Sequence, residues 1–354
     1  MYELMGNGCM KDRHLATENK LSSQRMPSGT TPRVRVGHIL LTYFSVDITE
    51  YWRPFETRGK SRHRDLLSQD RLRERLGLLE AVSLPSVLNQ SHQDFAWCIL
   101  IDKKLPPTIG TALNHLVRPH TNIHVMTFEE SSHIENCDWL LPLLPSNSYS
   151  HIMTTLLDDD DALPKDYMRH IFDYFQGIDN PLSIAGSARP WQWDLVVTDE
   201  GPYGYLATKW HRGWRSDAGL ASAGLTLVSK YPEINLSVLL LRHSVAGLYL
   251  NPKVEPTKIP PNMQKHVNIV RNAIRERCSA SGINPANIFG NPAYFDLTNL
   301  SGSTLLVNHT GNETSRLSED KMRVPLKDLD LLRDFGITDK SFHKLEYEGI
   351  LRLS

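Results

Sequence analysis

Four consecutive aspartates, Asp158 to Asp161, are the side chains in this sequence whose type and spacing point most directly to chemistry. They follow the apolar run "HIMTTLL" and precede "KDYMRHIFDYFQ", the pattern of an amphipathic helix. Like charges this close repel one another, and they cannot all be buried without a partner. Carboxylates at i and i+2 around a turn can chelate Mg²⁺ or Mn²⁺. The pattern therefore indicates a metal site, and the alternative is a solvated turn in which one aspartate caps the helix.

The segments around the aspartates alternate between strand and helix patterns. Strands are predicted in "VRVGHILLTYFSV" (34–46), "DFAWCILID" (94–102), "NIHVMTF" (122–128) and the run before Asp158, and helices at 66–90, 108–117 and 165–176. Pro85 is expected to kink or restart the first helix. The order predicts an α/β fold with a mostly parallel central sheet and helices on both faces. In such sheets ligands bind outside the carboxyl ends of the strands, where the aspartates stand.

The second half of the chain has a different pattern, rich in Gly, Pro and aromatic residues. Short strands and turns are predicted at 183–213, further strands in "EINLSVLLLRH" and "GLYLNP", and a strand at 303–312. Helices are predicted at 262–283, where a glycine ends the pattern, and at 324–337. The stretch that begins at Asp217 resembles the N-terminus of a helix.

Composition excludes several classes of protein. The chain has 354 residues, 40% of them hydrophobic, and a formal net charge of −1, so no global field attracts nucleic acid. Its four cysteines form no CxxC pair, so neither a zinc site nor a disulfide framework is indicated. No apolar run reaches the roughly 18 residues of a membrane span, and the start lacks a signal-peptide pattern. We expect a cytoplasmic protein without a transmembrane segment.

Several motifs together resemble a known family. "LLDDDDAL" resembles the aspartate-x-aspartate signature of GT-A glycosyltransferases, in the form typical of the inverting glycosyltransferase family 2, and "LPSVLNQSHQDFAWCILID" is similar to another element of that family. More narrowly, the chain resembles the bacterial rhamnosyltransferase family from about residue 36 to about residue 340. The residues that carry this resemblance are His38, Thr42, Phe44, Ser86, Gln90, Asp102, the aspartates and the late motif "LLVNHTGN". Thr310 is inserted where that late motif is usually tighter.

The resemblance implies a fold and a division of the chain. The fold is GT-A, a Rossmann-like, mostly parallel sheet with helices on both faces, joined to a mixed α+β half on the acceptor side. We accordingly expect a flexible N-terminal tail at 1–33, a nucleotide-sugar-binding half at 34–180, and an acceptor-binding half with C-terminal helices at 181–354.

The resemblance also implies roles for individual residues. It places the donor's nucleoside against Thr42, Tyr43, Asp102, Asp158 and Asp159. It places the metal against Asp160, Asp158, Asp161 and His309. Asp158 and Asp160 are the first and third positions of the signature, and Asp159 with Asp161 is the alternative register. The family usually carries Arg where Tyr43 stands, so the donor is left open. For His309, a neutral imidazole suits a metal or a diphosphate contact, and the alternative is a structural histidine.

Inverting transfer also needs a carboxylate that takes the acceptor proton. Asp217 and Asp194 are the candidates, although Asp217 is equally suited to cap a helix. Basic residues at 53–64 suit a diphosphate or an anionic acceptor, or a solvated loop. The dense aromatics at 191–214 suit an acceptor cleft or the core of the second half.

The sequence therefore predicts a metal-dependent glycosyltransferase that uses Mn²⁺ or Mg²⁺. Its donor is a UDP-, GDP- or dTDP-linked sugar and its acceptor a hydroxyl of a glycan or glycolipid, as in polysaccharide or glycolipid synthesis. Inversion is expected from the family, and peripheral membrane contact stays open. One alternative is a Mg²⁺-dependent nucleotidyltransferase, although "TYFSVDITEYW" lacks the Gly-rich phosphate loop that such enzymes often carry. Another is a non-catalytic carbohydrate-binding protein with structural Ca²⁺, although no EF-hand-like loop is present.

Overall fold

A computed structural model gives the structure of the chain. It describes residues 34–46, 66–129, 134, 136–146, 148–176, 178–187, 191–198, 201–206, 220–241, 249–250, 261–289, 294–296, 304–308, 322–325, 331–350 and 352–353. The described residues all fall in one unit, Val34–Ser354. The predicted tail at 1–33 lies outside them, and the predicted division at residue 180 stays a prediction.

The larger sheet has the strand order β3-β2-β1-β4-β8-β5-β9. Its strands are β1 (Val36–Phe44), β2 (Ala96–Ile101), β3 (Ile123–Thr127), β4 (His151–Leu156), β5 (Leu182–Gly186), β8 (Leu225–Lys230) and β9 (Tyr294–Asp296). The pairs among β1 to β4 and the pair β5–β9 are parallel, whereas β8 runs antiparallel to both of its neighbours. The predicted α/β fold with a mostly parallel sheet is confirmed.

Apolar side chains on both faces of this sheet build two separate cores. Ile39 and Leu41 of β1 face one core, and Leu40 and Phe44 face the other, as the alternation of a strand requires. The helical segments are α1 (Gln69–Leu78), a π-turn (Leu79–Ser83), α2 (Leu84–Leu88), α3 (Pro107–Val117), a 3₁₀ turn (Asp138–Leu143), α4 (Tyr167–Phe175), a 3₁₀ turn (Val238–Leu240), α5 (Pro261–Ala280), α6 (Ala286–Phe289), α7 (Leu331–Asp334) and α8 (Asp339–Tyr347). Helices α1 to α4 cover the Leu40 face and α5 covers the Ile39 face.

The smaller sheet lies beside the aspartates. It has the order β10-β6-β7-β11, with β12 also paired to β6. These strands are β6 (Trp191–Thr198), β7 (Gly201–Leu206), β10 (Leu305–Asn308), β11 (Met322–Pro325) and β12 (Arg352–Leu353). A third core joins Trp193 of β6, Leu305 and Val307 of β10, and Ala162, the residue after the four aspartates. The smaller sheet and the aspartate turn thus share buried packing.

The first long helical segment continues past Pro85 instead of breaking there. A π-turn at Leu79–Ser83 precedes the proline, and the N–H of Leu84 bonds to the carbonyl of Leu79, five residues back. Pro85 has no N–H to donate, and the wider turn just before it keeps the chain helical up to Leu88.

Four predictions from the sequence are wrong, and the first is the strand in "GLYLNP", where Tyr249 and Leu250 are helical instead. The apolar run in "EINLSVLLLRH" contains a 3₁₀ turn at Val238–Leu240 instead of a strand, because the Ser237 side chain accepts the N–H of Leu239 at 3.2 Å and starts that turn. Of the stretch that begins at Asp217, the described part from Leu220 is not helical, and Leu225–Lys230 form strand β8, which pairs with β4 and β5. At the start of the predicted helix 324–337, Val324 and Pro325 belong to strand β11 instead, because they pair with β7, and the helix described in this stretch is Leu331–Asp334.

No helix among the described residues is long and apolar enough to cross a bilayer.

Candidate metal centre

The four aspartates form a tight turn directly after β4. The N–H of Leu157 bonds to the carbonyl of Leu41 in β1 at 2.9 Å, so the chain stays in register with the sheet up to Asp158. The N–H of Asp161 then closes the turn on the carbonyl of Asp158 at 3.2 Å, and the Ser83 hydroxyl donates to the same carbonyl at 3.3 Å. The turn therefore lies at the carboxyl end of the parallel strands, where open α/β sheets bind their ligands.

Ser86 and Gln90, two residues of the family motif, hold the segment that follows the turn. The N–H of Leu163 donates to the Ser86 hydroxyl at 3.4 Å. The Gln90 amide donates to the carbonyl of Pro164 at 2.9 Å and accepts from the N–H of Met168 at 3.0 Å. Gln90 is only 4% exposed, so these bonds are protected from water. Ser86 and Gln90 therefore hold the segment that directly follows the aspartate turn.

Three of the four carboxylates converge. Asp158, Asp160 and Asp161 each offer an oxygen, and these atoms lie within 4.8 Å of one another. Asp160 and Asp161 are buried, and Asp158 is partly exposed. The arrangement offers three hard oxygen donors, which is the donor set that Mg²⁺ and Mn²⁺ prefer.

The fourth carboxylate, Asp159, turns to the helix α1. Arg75 Nε donates to Asp159 Oδ2 at 3.0 Å, and the same guanidinium forms an ion pair with Asp159 Oδ1. Arg75 also donates from Nη1 to Asp160 Oδ2 at 2.7 Å. The Asp159 side chain is fully buried and that of Arg75 is 13% exposed, so this is an internal ion pair.

Crowding raises the pKa of two carboxyl groups in the turn. Desolvation and the charge of Asp160 raise the pKa of Asp158 to about 6, although a hydrogen bond from Ser222 and the charge of Arg75 oppose the rise. Desolvation, with the charges of Asp160 and Asp158, raises the pKa of Asp161 well above its usual range. The N–H of Val307 in β10 donates to Asp161 Oδ1 at 3.0 Å and opposes that rise. Without a cation the cluster holds its negative charge at a cost.

The residues expected near the nucleoside lie in and after neighbouring strands. Thr42 is fully buried in β1, and its hydroxyl accepts the indole N–H of Trp97 at 2.9 Å. Tyr43 is partly exposed and packs edge-on against Phe128, with the ring centroids 5.3 Å apart. Asp102 follows the end of β2, is partly exposed, and accepts the N–H of Lys104 at 2.7 Å. Tyr43 and Asp102 thus lie at the same edge of the sheet as the aspartate turn, because β1 lies between β2 and β4.

The other expected site residues are described only in part. Asp194 lies in β6, where its backbone is the register partner of Asn308 in β10. His309 and Asp217 lie outside the described residues, as does the basic segment 53–64. Of the dense aromatics, Trp193 is buried in the third core and packs against Phe342.

Sequence reasoning missed three residues that contact the turn: Arg75, Ser83 and Ser222. Arg75 had a detectable signal, because it stands three residues after Leu72 and four before Leu79, on the apolar face of the helix pattern. An arginine on that face needs a buried partner. Ser83 and Ser222 are small polar residues without such a signal, and only the folded chain brings them to Asp158.

Comparisons with solved structures give distant likenesses. S. aureus TarS in complex with UDP-GlcNAc is 13% identical with a TM-score of 0.24, and the match covers 44% of this chain and 34% of that chain. Mouse xyloside xylosyltransferase 1 is 11% identical with a TM-score of 0.29, covering 73% and 84%. The inositol-1-phosphate CTP transferase of T. maritima is 7% identical with a TM-score of 0.27, covering 68% and 99%. The chain thus spans about a third of the length of the TarS chain, and likenesses at these scores carry no argument about function.

Comparison with protein families gives a direct match, whereas none of the curated proteins matches the sequence. Residues 38–183, about two fifths of the chain, match the family described as "Putative rhamnosyl transferase". The matched segment contains His38, Gln90 and all four aspartates, whereas the late motif "LLVNHTGN" lies outside it and stays a prediction from the sequence. The resemblance to this family is confirmed over this segment, whose strands β1 to β4 form the parallel part of the larger sheet.

Proposed function

We propose that this protein is a metal-dependent glycosyltransferase that moves a sugar from a nucleoside-diphosphate donor to an acceptor hydroxyl. One observation carries the proposal. Within the family-matched segment, Asp158, Asp160 and Asp161 bring three carboxylate oxygens within 4.8 Å of one another at the carboxyl end of a parallel sheet. That edge is where this type of sheet binds ligands, and the three oxygens form a divalent-cation site.

The residues present fit Mn²⁺ or Mg²⁺. All three donors are carboxylate oxygens, and a divalent cation compensates the mutual repulsion that raises the pKa of Asp158 and Asp161. When bound, such an ion supplies positive charge to the diphosphate that leaves with the nucleoside. The chain's own part is to hold the three carboxylates in place, through the Ser83 hydroxyl on one side and the Val307 N–H on the other.

The donor's nucleoside is proposed to lie against Tyr43 and Asp102. Both are partly exposed, and both lie at the strand edge that carries Asp158. Thr42 supports this edge through the hydrogen bond that its hydroxyl accepts from Trp97. Asp158, which is partly exposed, is proposed to face the donor. The donor is a UDP-, GDP- or dTDP-linked sugar.

The late strand β10 supports His309 as a further ligand or diphosphate contact. Val307, which precedes His309 by two residues in the sequence, donates its N–H to Asp161. Asp194 is the register partner of Asn308, which supports it as a base beside the same cluster. Asp217 is the second candidate base.

The acceptor is proposed to be a hydroxyl of a glycan or glycolipid, with inversion at the transferred sugar's anomeric carbon. An acceptor of this kind fits an enzyme of polysaccharide or glycolipid synthesis. A cytoplasmic location and peripheral membrane contact remain expectations from the sequence.

The test is nucleotide-sugar turnover with and without Mn²⁺. Wild-type protein is incubated with UDP-, GDP- and dTDP-sugars, and release of the nucleoside diphosphate is measured beside Asp160→Ala. We expect Mn²⁺-dependent release from one donor and its loss in Asp160→Ala. Asp173→Asn, which removes one exposed charge from α4, is the matched control and should retain turnover. Full metal-dependent turnover by Asp160→Ala would refute the metal site, and pyrophosphate formation from a nucleoside triphosphate and a sugar phosphate would indicate a nucleotidyltransferase instead.

A further inference from the structure

Arg75 is a positive side chain in direct hydrogen-bond contact with the aspartate turn. It lies near the end of α1, on the face that carries Leu72 and Leu79, and both leucines are 0% exposed. A charged residue on the buried face of a helix loses its hydration and must be compensated by bonds within the protein. The position is therefore one that packing alone would fill with an apolar residue.

The guanidinium contacts two adjacent carboxylates at once. It pairs with both oxygens of Asp159, and it reaches Asp160 Oδ2 from Nη1 at 2.7 Å and Asp160 Oδ1 from Nη2 at 3.3 Å. Planar, forked contacts of this kind fix the orientation of a carboxylate as well as its distance. Asp160 is at the same time one of the three carboxylates that converge on the candidate metal centre.

These contacts divide the four aspartates into two sets. Asp159 is fully buried and lies outside the converging group, so its negative charge is compensated from the helix side by Arg75. Asp158 and Asp161 belong only to the converging group, and Asp160 belongs to both sets. Removing Arg75 would leave the Asp159 charge buried without its ion-pair partner, which is strongly unfavourable in the interior of a protein. The turn would have to rearrange, and Asp160 would move with it.

We propose that Arg75 is a positioning residue for the metal centre: by binding Asp159 and both oxygens of Asp160, it holds the turn in the conformation in which Asp158, Asp160 and Asp161 converge. This inference rests on the proposed function, because it assigns Arg75 a role toward the divalent cation of that site. Arg75 contacts the cation only through Asp160, so it acts on metal affinity and not on the reacting atoms.

Geometry and charge predict opposite effects for the loss of Arg75. If only its charge mattered, its removal would strengthen Mn²⁺ binding, because one positive charge near the ion disappears. If Arg75 positions the carboxylates, its removal weakens binding, by roughly the 10–100-fold typical of residues that orient metal ligands. Lysine separates the two effects, since it keeps the charge and loses the planar fork.

The experiment measures Mn²⁺ affinity by titration calorimetry on the full chain, without donor and without turnover. The variants are Arg75→Met, Arg75→Lys and the double variant Arg75→Met with Asp159→Asn, which removes the buried charge that Arg75 compensates. Arg73→Met is the matched control, because Arg73 is exposed on the opposite face of the same helix. Near-UV circular dichroism checks that each variant is folded.

We expect weaker Mn²⁺ binding in Arg75→Met and Arg75→Lys, recovery of most of the affinity in the double variant, and no change in Arg73→Met. Unchanged or stronger binding in Arg75→Met, with wild-type binding intact, would overturn the positioning role and leave the proposed function standing. If Arg75→Met does not fold, Arg75→Lys decides the question, and wild-type affinity in that variant overturns the role. Absence of Mn²⁺ binding in the wild-type protein would instead refute the proposed metal site and the inference together.

Discussion

Replacing Gln90 with methionine should destabilise the protein and weaken its metal site together. Gln90 Nε2 donates to Pro164 O at 2.9 Å and to Leu163 O at 3.3 Å, and its Oε1 accepts from Met168 N at 3.0 Å. The same Nε2 also donates to Ser86 O at 3.0 Å, so three carbonyls share its two hydrogens. Methionine has a similar length but offers none of these bonds. With about 1 kcal/mol for each of the two amide hydrogens and for the accepted N–H, the free energy of unfolding should fall by about 3 kcal/mol.

The assay is urea unfolding of Gln90→Met beside Gln93→Met, followed by Mn²⁺ titration of both folded variants. Gln93 is exposed, and its amide bonds only to nearby carbonyls, including that of Gln90 at 2.9 Å, so its loss should cost less than about 1 kcal/mol. Mn²⁺ affinity should fall in Gln90→Met only, because the bonds of Gln90 hold the segment that leaves the aspartate turn. A stability of Gln90→Met within about 0.5 kcal/mol of the wild type would refute the reasoning, since that is the range of an ordinary surface substitution.

Three further substitutions test other parts of the structure. Burial, with a smaller effect of His92, lowers the pKa of His38 from 6.5 to about 3. Between these two pH values the folded state binds fewer protons than the unfolded state, so the protein loses stability as the pH falls below 6.5. Urea unfolding of His38→Gln from about pH 6 to about pH 4 should show a loss shallower by about 1.4 kcal/mol per pH unit, and an unchanged slope would contradict the shifted pKa. Gly224→Ala should lower the free energy of unfolding by more than about 1 kcal/mol, because Gly224 has φ +79° and a Cβ there would lie 2.5 Å from Tyr167 Oη; wild-type stability in urea would exclude this contact. Lys344→Met should cost less than about 1 kcal/mol despite the 2.8 Å ion pair with Glu80, since both side chains are about a third exposed, and a larger loss on thermal melting would show that the pair is not a solvated one.

The strands that position the candidate site could be predicted because they are buried on both faces. Such strands are continuous apolar runs of strand length, and "HILLTYF" and "AWCILI" have that form. The position of the four aspartates could also be predicted to matter, because a run of negative charges directly after a buried strand has to be compensated. The apolar pattern of the strands and the position of the aspartates after one of them were therefore sufficient to predict the parallel part of the sheet and the location of the aspartate cluster.

The antiparallel strand β8 could not be predicted because its neighbours are distant in sequence. Leu225 of β8 pairs with Leu156 of β4, and nothing in "SDAGLASAGLTLVSK" reveals that partner. Local propensity favoured a helix there, and tertiary pairing decided otherwise. For the same reason the sequence could not show which aspartates converge, because Asp159 is bound by Arg75, which lies 84 residues earlier in the chain.

The most direct measurement is anomalous diffraction at the manganese edge from crystals grown with Mn²⁺ and a nucleoside diphosphate. The proposed site predicts one anomalous peak within roughly 2.0–2.3 Å of oxygens from Asp158, Asp160 and Asp161, with Asp159 still bound to Arg75. A peak coordinated by Asp159, or no peak at the turn when the nucleotide is bound, would contradict the proposed metal centre.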